Sequence, residues 1–208
     1  RLESALKALQ ERHDFSPKTV SRKINSLRTF YRFLISNGKI SYNPADSLDH
    51  PKYTATPPRV LSQLEHLALR EISRDNLRLH IMIETLLQTG IRIGELSRLK
   101  IKHIVDHNDK DHIYIEAHSS APERRVPLNQ RISKLLKEFA DQHQTTNDDH
   151  PIFPTRDGNH IIIRNIRSSI DRALIKAGIE NACVNDLRNT FIVEQLKAGV
   201  PLEYLSEV

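Results

Sequence analysis

Arg92 is the first residue from which chemistry can be argued. It lies in the stretch 86–99, Leu-Leu-Gln-Thr-Gly-Ile-Arg-Ile-Gly-Glu-Leu-Ser-Arg-Leu. A guanidinium is planar and permanently charged, and its fork binds an oxyanion with two hydrogen bonds. Glu95 follows three residues later, one helical turn away, where a carboxylate orients such a fork. A second reading stays open at this point. A buried arginine paired with Glu95 would also brace two helices across a turn.

The surrounding elements decide how Arg92 is held. Ile81, Met82, Ile83, Leu86 and Leu87 have helical spacing that stops at Gly90, the residue type expected just past a helix end. The pattern resumes with Ile91, Ile93, Leu96 and Leu99. The flanking isoleucines are expected to face the core, leaving Arg92 partly desolvated in a rigid turn. Upstream, Ser62 and Glu65 have capping-box spacing and open a helix to about Ser73, and the next helix starts at about Asn76. After Lys100 the period changes. Strands are predicted over 101–105, 112–116 and 124–128, joined by a polar turn at 106–111 and a hairpin at 119–122. Pro127 places the third strand at an edge or end. Asn129 caps a helix through about Asp141, a polar loop covers 145–150, and Ile152-Phe153-Pro154 is a short buried step. Ile163, Ile166, Ile170, Leu174 and Ala177 mark another helix, ended by Gly178.

Leu2, Leu6 and Leu9 suggest the end of an earlier helix, and a second starts at Ser16-Pro17 and stops near Asn37-Gly38. Val20, Ile24, Leu27, Tyr31 and Leu34 share one face, while Lys18, Arg22, Arg28 and Arg32 gather on the other. Residues 16–45 contain no acidic side chain. An unmixed basic stripe suggests a surface that meets phosphate, the alternative being an ordinary exposed Lys/Arg face. Pro51, Pro57 and Pro58 mark an extended connector.

The 208 residues suffice for one or two domains with a real core. Formal net charge is +5, from 31 Lys+Arg against 26 Asp+Glu, so the location of charge matters more than its sum. A lone cysteine, Cys183, excludes an internal disulfide framework; its apolar neighbours Ala182 and Val184 suggest a small core residue. No apolar run reaches membrane-span length, no signal peptide is seen, and no membrane partner is expected. Both ends read as cut within helical patterns. The 11 histidines are dispersed and read as surface residues. Metal ligands and cofactors are not expected.

Thr89, Gly90, Arg92, Glu95 and Leu96 resemble the first arginine box of the tyrosine recombinases, the phage-integrase and Xer-like family, whose pattern is Thr-Gly-x-Arg-x-x-Glu-Leu. Residues 185–191, Asn-Asp-Leu-Arg-Asn-Thr-Phe, resemble the second box, His-x-Leu-Arg-His-x-Phe, and Leu196, Gly199 and Leu202 follow the family's helix, glycine break and helix. Residues 16–46, ending in Asn43-Pro44-Ala45, resemble its DNA-clamping core-binding domain. The resemblance implies a mainly α (α+β) fold. A truncated helical core-binding (SAM-like) bundle covers 1–50 and a linker 51–60. A mostly helical catalytic domain with a three-stranded antiparallel sheet covers 61–208, truncated at its C-terminal end.

It also implies a chemistry. A tyrosine attacks a phosphodiester to give a 3′-phosphotyrosine, two arginines neutralise the transition state, a hairpin lysine protonates the leaving oxygen, and histidines handle protons. Arg92 and Arg188 match the two arginines, and Glu95 the orienting acid. Asn185 and Asn189 stand at the histidine and His/Trp positions, and Ser119 at the lysine. His118 is a candidate replacement acid. Arg124 and Arg125 could supply charge, and with Arg164 and Arg167 they complete the expected DNA-contacting set. The nucleophile is expected roughly a dozen or more residues after Val208, and Tyr204 is assigned to the core. The implied partner is double-stranded DNA, with a homotetramer on DNA for the full-length protein and a monomer compatible with this chain, in a cytoplasmic, nucleoid-associated setting. Two functional readings follow: a site-specific recombinase, or a catalytically decayed relative that only binds DNA. A third, a helical DNA-binding regulator outside this family, predicts that Arg92 and Arg188 lie apart.

Overall fold

The computed structural model describes residues 4, 5, 8, 12–54, 56–105, 111–119, 121–145 and 147–207. It divides into two compact units, Arg1–Pro57 and Pro58–Val208.

In the first unit, helix α1 (Pro17–Ser36) begins where the sequence supplies a cap. Ser16 Oγ accepts from Thr19 N at 3.3 Å, and Pro17 occupies the first turn. The helix ends at Asn37, and Gly38 takes φ +65°, a left-handed conformation that suits glycine. Val20 and Ile24 pack with Ala45 and Leu48 into a small core, joined by the half-buried Phe15, Leu27 and Tyr31. Lys18, Arg22 and Arg32 are exposed. Arg28, expected in the same stripe, is half-buried and does something else. Its Nε donates to the Ala45 carbonyl at 3.2 Å, its Nη2 to the Leu48 carbonyl at 2.7 Å, and its Nη1 to His50 Nε2 at 3.0 Å. Its fork is spent tying α1 to the following loop. Leu2, Leu6 and Leu9 lie outside the described residues.

The second unit is built around helix α3 (Leu77–Thr89), which follows α2 (Gln63–Ser73). The Ser62–Glu65 capping box forms as expected, with Ser62 N to Glu65 Oε2 at 2.7 Å and Glu65 N to Ser62 Oγ at 3.3 Å. Helix α3 is buried on all sides from Ile81 to Leu87, including Glu84. That carboxylate is kept by the Arg70 guanidinium and by Gln88 Nε2 at 2.7 Å, so the buried charge is paired. Helix α4 (Ile93–Arg98) follows the glycine turn. A three-stranded antiparallel sheet comes next, in the order β1 (Ile104–Val105), β2 (His112–Ile115), β3 (Arg124–Pro127). Ile113 pairs with both Ile104 and Val126, and Ile113, Ile115 and Val126 face the core.

The first strand is shorter than its pattern predicts. Residues 101–103 form a 3-10 turn, because Ile101 N and Lys102 N donate to the carbonyls of His150 and Asp148, at 3.0 and 2.9 Å, instead of to a strand. Residues 106–110 of the predicted polar turn lie outside the described residues. Helices α5 (Gln130–Asp141), α6 (Ile163–Lys176), α7 (Val184–Lys197) and α8 (Leu202–Glu207) complete the unit. Among the described residues no helix is long and apolar enough to cross a membrane.

Three expectations change. His66 and His103 are buried rather than on the surface. Cys183 is exposed, because it is the N-cap of α7 and only its successor Val184 turns inward. Tyr204 is 68% exposed, because Leu205 is the residue by which α8 reaches the interior.

Candidate functional site

Helix α3 ends at Gly90, whose φ of +63° reverses the chain. A Cβ at this position would also clash with the edge of the Phe191 ring, so glycine is required twice over. Ile91 is fully buried and anchors the turn. Arg92 is then the N-cap of α4, and its side chain is 54% exposed, more open than a desolvated pocket residue would be.

Glu95 organises this corner, though with a different principal partner from the one its spacing suggests. Arg124, on strand β3, gives both Nη atoms to its two oxygens at 2.8 Å each. Arg92 gives its backbone N–H to Oε2 at 2.7 Å, while its guanidinium Nη1 reaches Oε1 at 3.3 Å. Burial pushes the Glu95 carboxyl up. The Arg124 fork, the Arg92 amide and the charges of both arginines outweigh that and hold it below its ordinary value. Arg124, expected to face DNA, is 10% exposed and joins the hairpin to the arginine turn.

Helix α7 carries the second segment. Asp186 caps it, accepting from Cys183 N at 2.8 Å, and Thr190 Oγ1 accepts from Leu61 N at 2.9 Å. This fixes Arg188, whose Nη1 donates to the Gly90 carbonyl. Burial pushes the Arg188 guanidinium down from its ordinary value, the Arg92 charge adds to that, and Glu95 opposes it. Asn189 Nδ2 donates to Asp186 Oδ1 at 3.2 Å, and Asn185 is exposed.

The result is one open cleft of about 700 Å³ that Arg92, Glu95, Arg188, Asn185, Asn189 and His118 all line. Two arginines separated by most of the second unit's sequence thus line one hollow. The regulator reading, which needs them apart, does not stand. Ser119 sits at the tip of the hairpin closed by His118 and Ala121, with φ +56°, and is outside the lining. Arg125, Arg164 and Arg167 are exposed, also outside it. Neither tyrosine of the second unit lines the cleft: Tyr114 donates to Glu123 Oε2 at 2.5 Å, and Tyr204 borders a separate groove with Arg125 and Leu205. Among the described residues, no cluster of His, Cys, Asp or Glu could hold a metal ion.

Arg98 and Glu116 also line the cleft, and neither stands out in the sequence. Glu116 follows β2 and meets His103 Nε2 at 3.1 Å and Lys102 Nζ at 3.4 Å. The close approach of the His103 ring is the main reason its carboxyl lies below its ordinary value. Helical spacing from Glu95 could have pointed to Arg98; the Glu116 contacts join separate elements and have no local signal.

Residues 58–208 match the profile of the Phage integrase family. The chain is 32% identical over 193 residues to the tyrosine recombinase XerC of Staphylococcus epidermidis, a match covering 88% of this chain and 64% of that protein. It is 29% identical over 192 residues to XerC of Pelobacter propionicus, covering 90% of this chain and 63% of that one. The chain therefore spans somewhat less than two thirds of these relatives. Its fold resembles that of the XerA recombinase crystal structure, with a TM-score of 0.65 at 24% identity, covering 99% of this chain and 71% of that one. It also resembles the Tn1549 transposon integrase in complex with circular intermediate DNA, with a TM-score of 0.74 at 19% identity, covering 99% and 74%.

Proposed function

This chain belongs to the phage integrase family, and from that premise we propose that it is the part of a site-specific tyrosine recombinase that holds duplex DNA and seats one backbone phosphate between Arg92 and Arg188. The observation that carries this reading is the convergence of those two arginines on one cleft, with Glu95 fixing the corner. Charge fixed before reaction, where a phosphoryl transition state gains negative charge, is the largest contribution such a site makes. In the whole protein the nucleophile would be a tyrosine, giving a 3′-phosphotyrosine and a free 5′-hydroxyl. The whole protein would act as a homotetramer on DNA, in a cytoplasmic, nucleoid-associated setting.

Proton transfer is the weaker half of the site. Asn185 and Asn189 stand where the family has proton-handling or phosphate-binding rings, and an amide donates a hydrogen bond but moves no proton at neutral pH. One Asn189 N–H is already committed to Asp186. Ser119 occupies the hairpin position of the family's lysine, and the imidazole lining the cleft belongs to His118. Each lost acid or base costs on the order of 10²–10⁴-fold in rate. These positions favour a second reading for this chain, a decayed relative that clamps DNA without cutting it.

The test is covalent trapping. Incubated with a nicked duplex, the 208-residue chain is expected to bind and to give no denaturation-resistant adduct. A stable protein–DNA adduct would overturn the non-cleaving reading. Unchanged duplex affinity in the Arg92→Gln/Arg188→Gln double variant would overturn the phosphate cleft itself.

A further inference from the structure

Arg98 is half-buried and lines the cleft that holds Arg92 and Arg188. It lies in the last turn of α4, yet its guanidinium leans back toward the start of the helix, as long helical side chains do. Its Nη1 lies 3.6 Å from where a Cβ on Gly94 would be, which places the guanidinium beside the first turn of the helix. The neighbouring cations are engaged. Arg124 spends its fork on Glu95, Arg188 donates to the Gly90 carbonyl, and Arg92 reaches Glu95. Among the described residues, no acceptor or ion-pair partner is found for Arg98. Its fork is therefore open to an acceptor supplied by a ligand in the cleft.

We propose that Arg98 is a third phosphate-binding cation of this cleft, contacting a phosphodiester of duplex DNA. The proposal rests on the DNA-cleft reading above and places positive charge on the side of the cleft lined by Glu116 and His118. The guanidinium supplies charge and hydrogen bonds and no proton.

Binding of the full chain to a fluorescein-labelled duplex, followed by anisotropy over a salt series, tests this. Each phosphate contact contributes about 0.9 to the slope of log affinity against log salt. Arg98→Gln is expected to weaken binding and make the slope shallower by about that amount. Arg98→Lys is expected to keep the slope, and Arg74→Gln, at an exposed position on the C-cap of α2, to change nothing. If Arg98→Gln leaves the slope unchanged while Arg92→Gln reduces it, the proposal fails and the cleft reading stands. If neither variant changes it, both fail. Phenylglyoxal footprinting of the unmutated chain removes any dependence on folding of the variants. DNA should protect Arg98 from modification, and equal labelling with and without DNA would overturn the proposal.

Discussion

The side chain of Arg188 donates to the backbone carbonyl of Gly90, the residue that reverses the chain just before Arg92. The second arginine therefore takes its position from the turn that presents the first. Phe191, one turn further along α7, lies where a Gly90 side chain would be and closes the same contact from below. Both contacts join α7 to the glycine turn, one through the Arg188 guanidinium and one through the Phe191 ring.

Gly90→Ala should break this arrangement. A left-handed backbone costs a non-glycine residue about 1 kcal/mol, and a methyl forced against the Phe191 ring about 1–3 more. A loss of about 2–4 kcal/mol in urea unfolding is expected, together with weakened DNA binding. Phe191→Ala opens the space, so the Gly90→Ala/Phe191→Ala pair should destabilise by less than the sum of the two single changes. Strict additivity would show that the ring does not set the turn.

Glu95 gives a pH dependence whose sign follows from its surroundings. Its folded carboxyl binds a proton only below the ordinary glutamate range, chiefly because the Arg124 fork and the Arg92 amide overcome the effect of burial. As pH falls, the unfolded chain takes up a proton first. The stabilisation is therefore complete above about pH 5 and is lost as pH falls through about 4 and then through the lower folded value. Urea midpoints measured down this range should fall, and Glu95→Gln should flatten part of the fall. Glu95→Ala should cost about 3–5 kcal/mol at neutral pH by leaving Arg124 buried without its acceptor. Glu95→Leu combined with Arg124→Met should recover most of that. If Glu95→Gln has the same acid profile as the unmutated chain, this assignment is wrong.

The arginine turn was legible because its signals are local. A glycine at a helix end, an arginine two residues on and an acid one turn later can be read from adjacent residues. The Ser62–Glu65 capping box and the hairpin have the same character. The Glu95–Arg124 pair was not legible, because it joins a helix to a strand 29 positions away and nothing near either residue marks it. Arg98 does not stand out in the sequence because the last turn of a helix is an ordinary place for a cation. Cys183 and Tyr204 depart from their sequence pattern for a related reason. Apolar neighbours show that an element has a buried face, but one residue of rotation decides which side chain reaches it.

Arg28 and its neighbours separate the two roles of the basic helix α1. Arg22 and Arg32 are exposed, and Arg22→Ala or Arg32→Ala should leave folding intact while reducing the salt slope of DNA binding by about 0.9 each. Arg28 is different, since its guanidinium donates to the carbonyls of Ala45 and Leu48. Hydrogen bonds to a charged group contribute about 1.5–3 kcal/mol, so Arg28→Ala should loosen the small core of Val20, Ile24, Ala45 and Leu48. Hydrogen exchange at the amides of α1 is the direct measurement. Protection should fall in Arg28→Ala and stay unchanged in Arg22→Ala. If Arg28→Ala keeps full protection and loses only salt-dependent affinity, Arg28 contacts phosphate after all, and its bonds to the loop carbonyls contribute little to the fold.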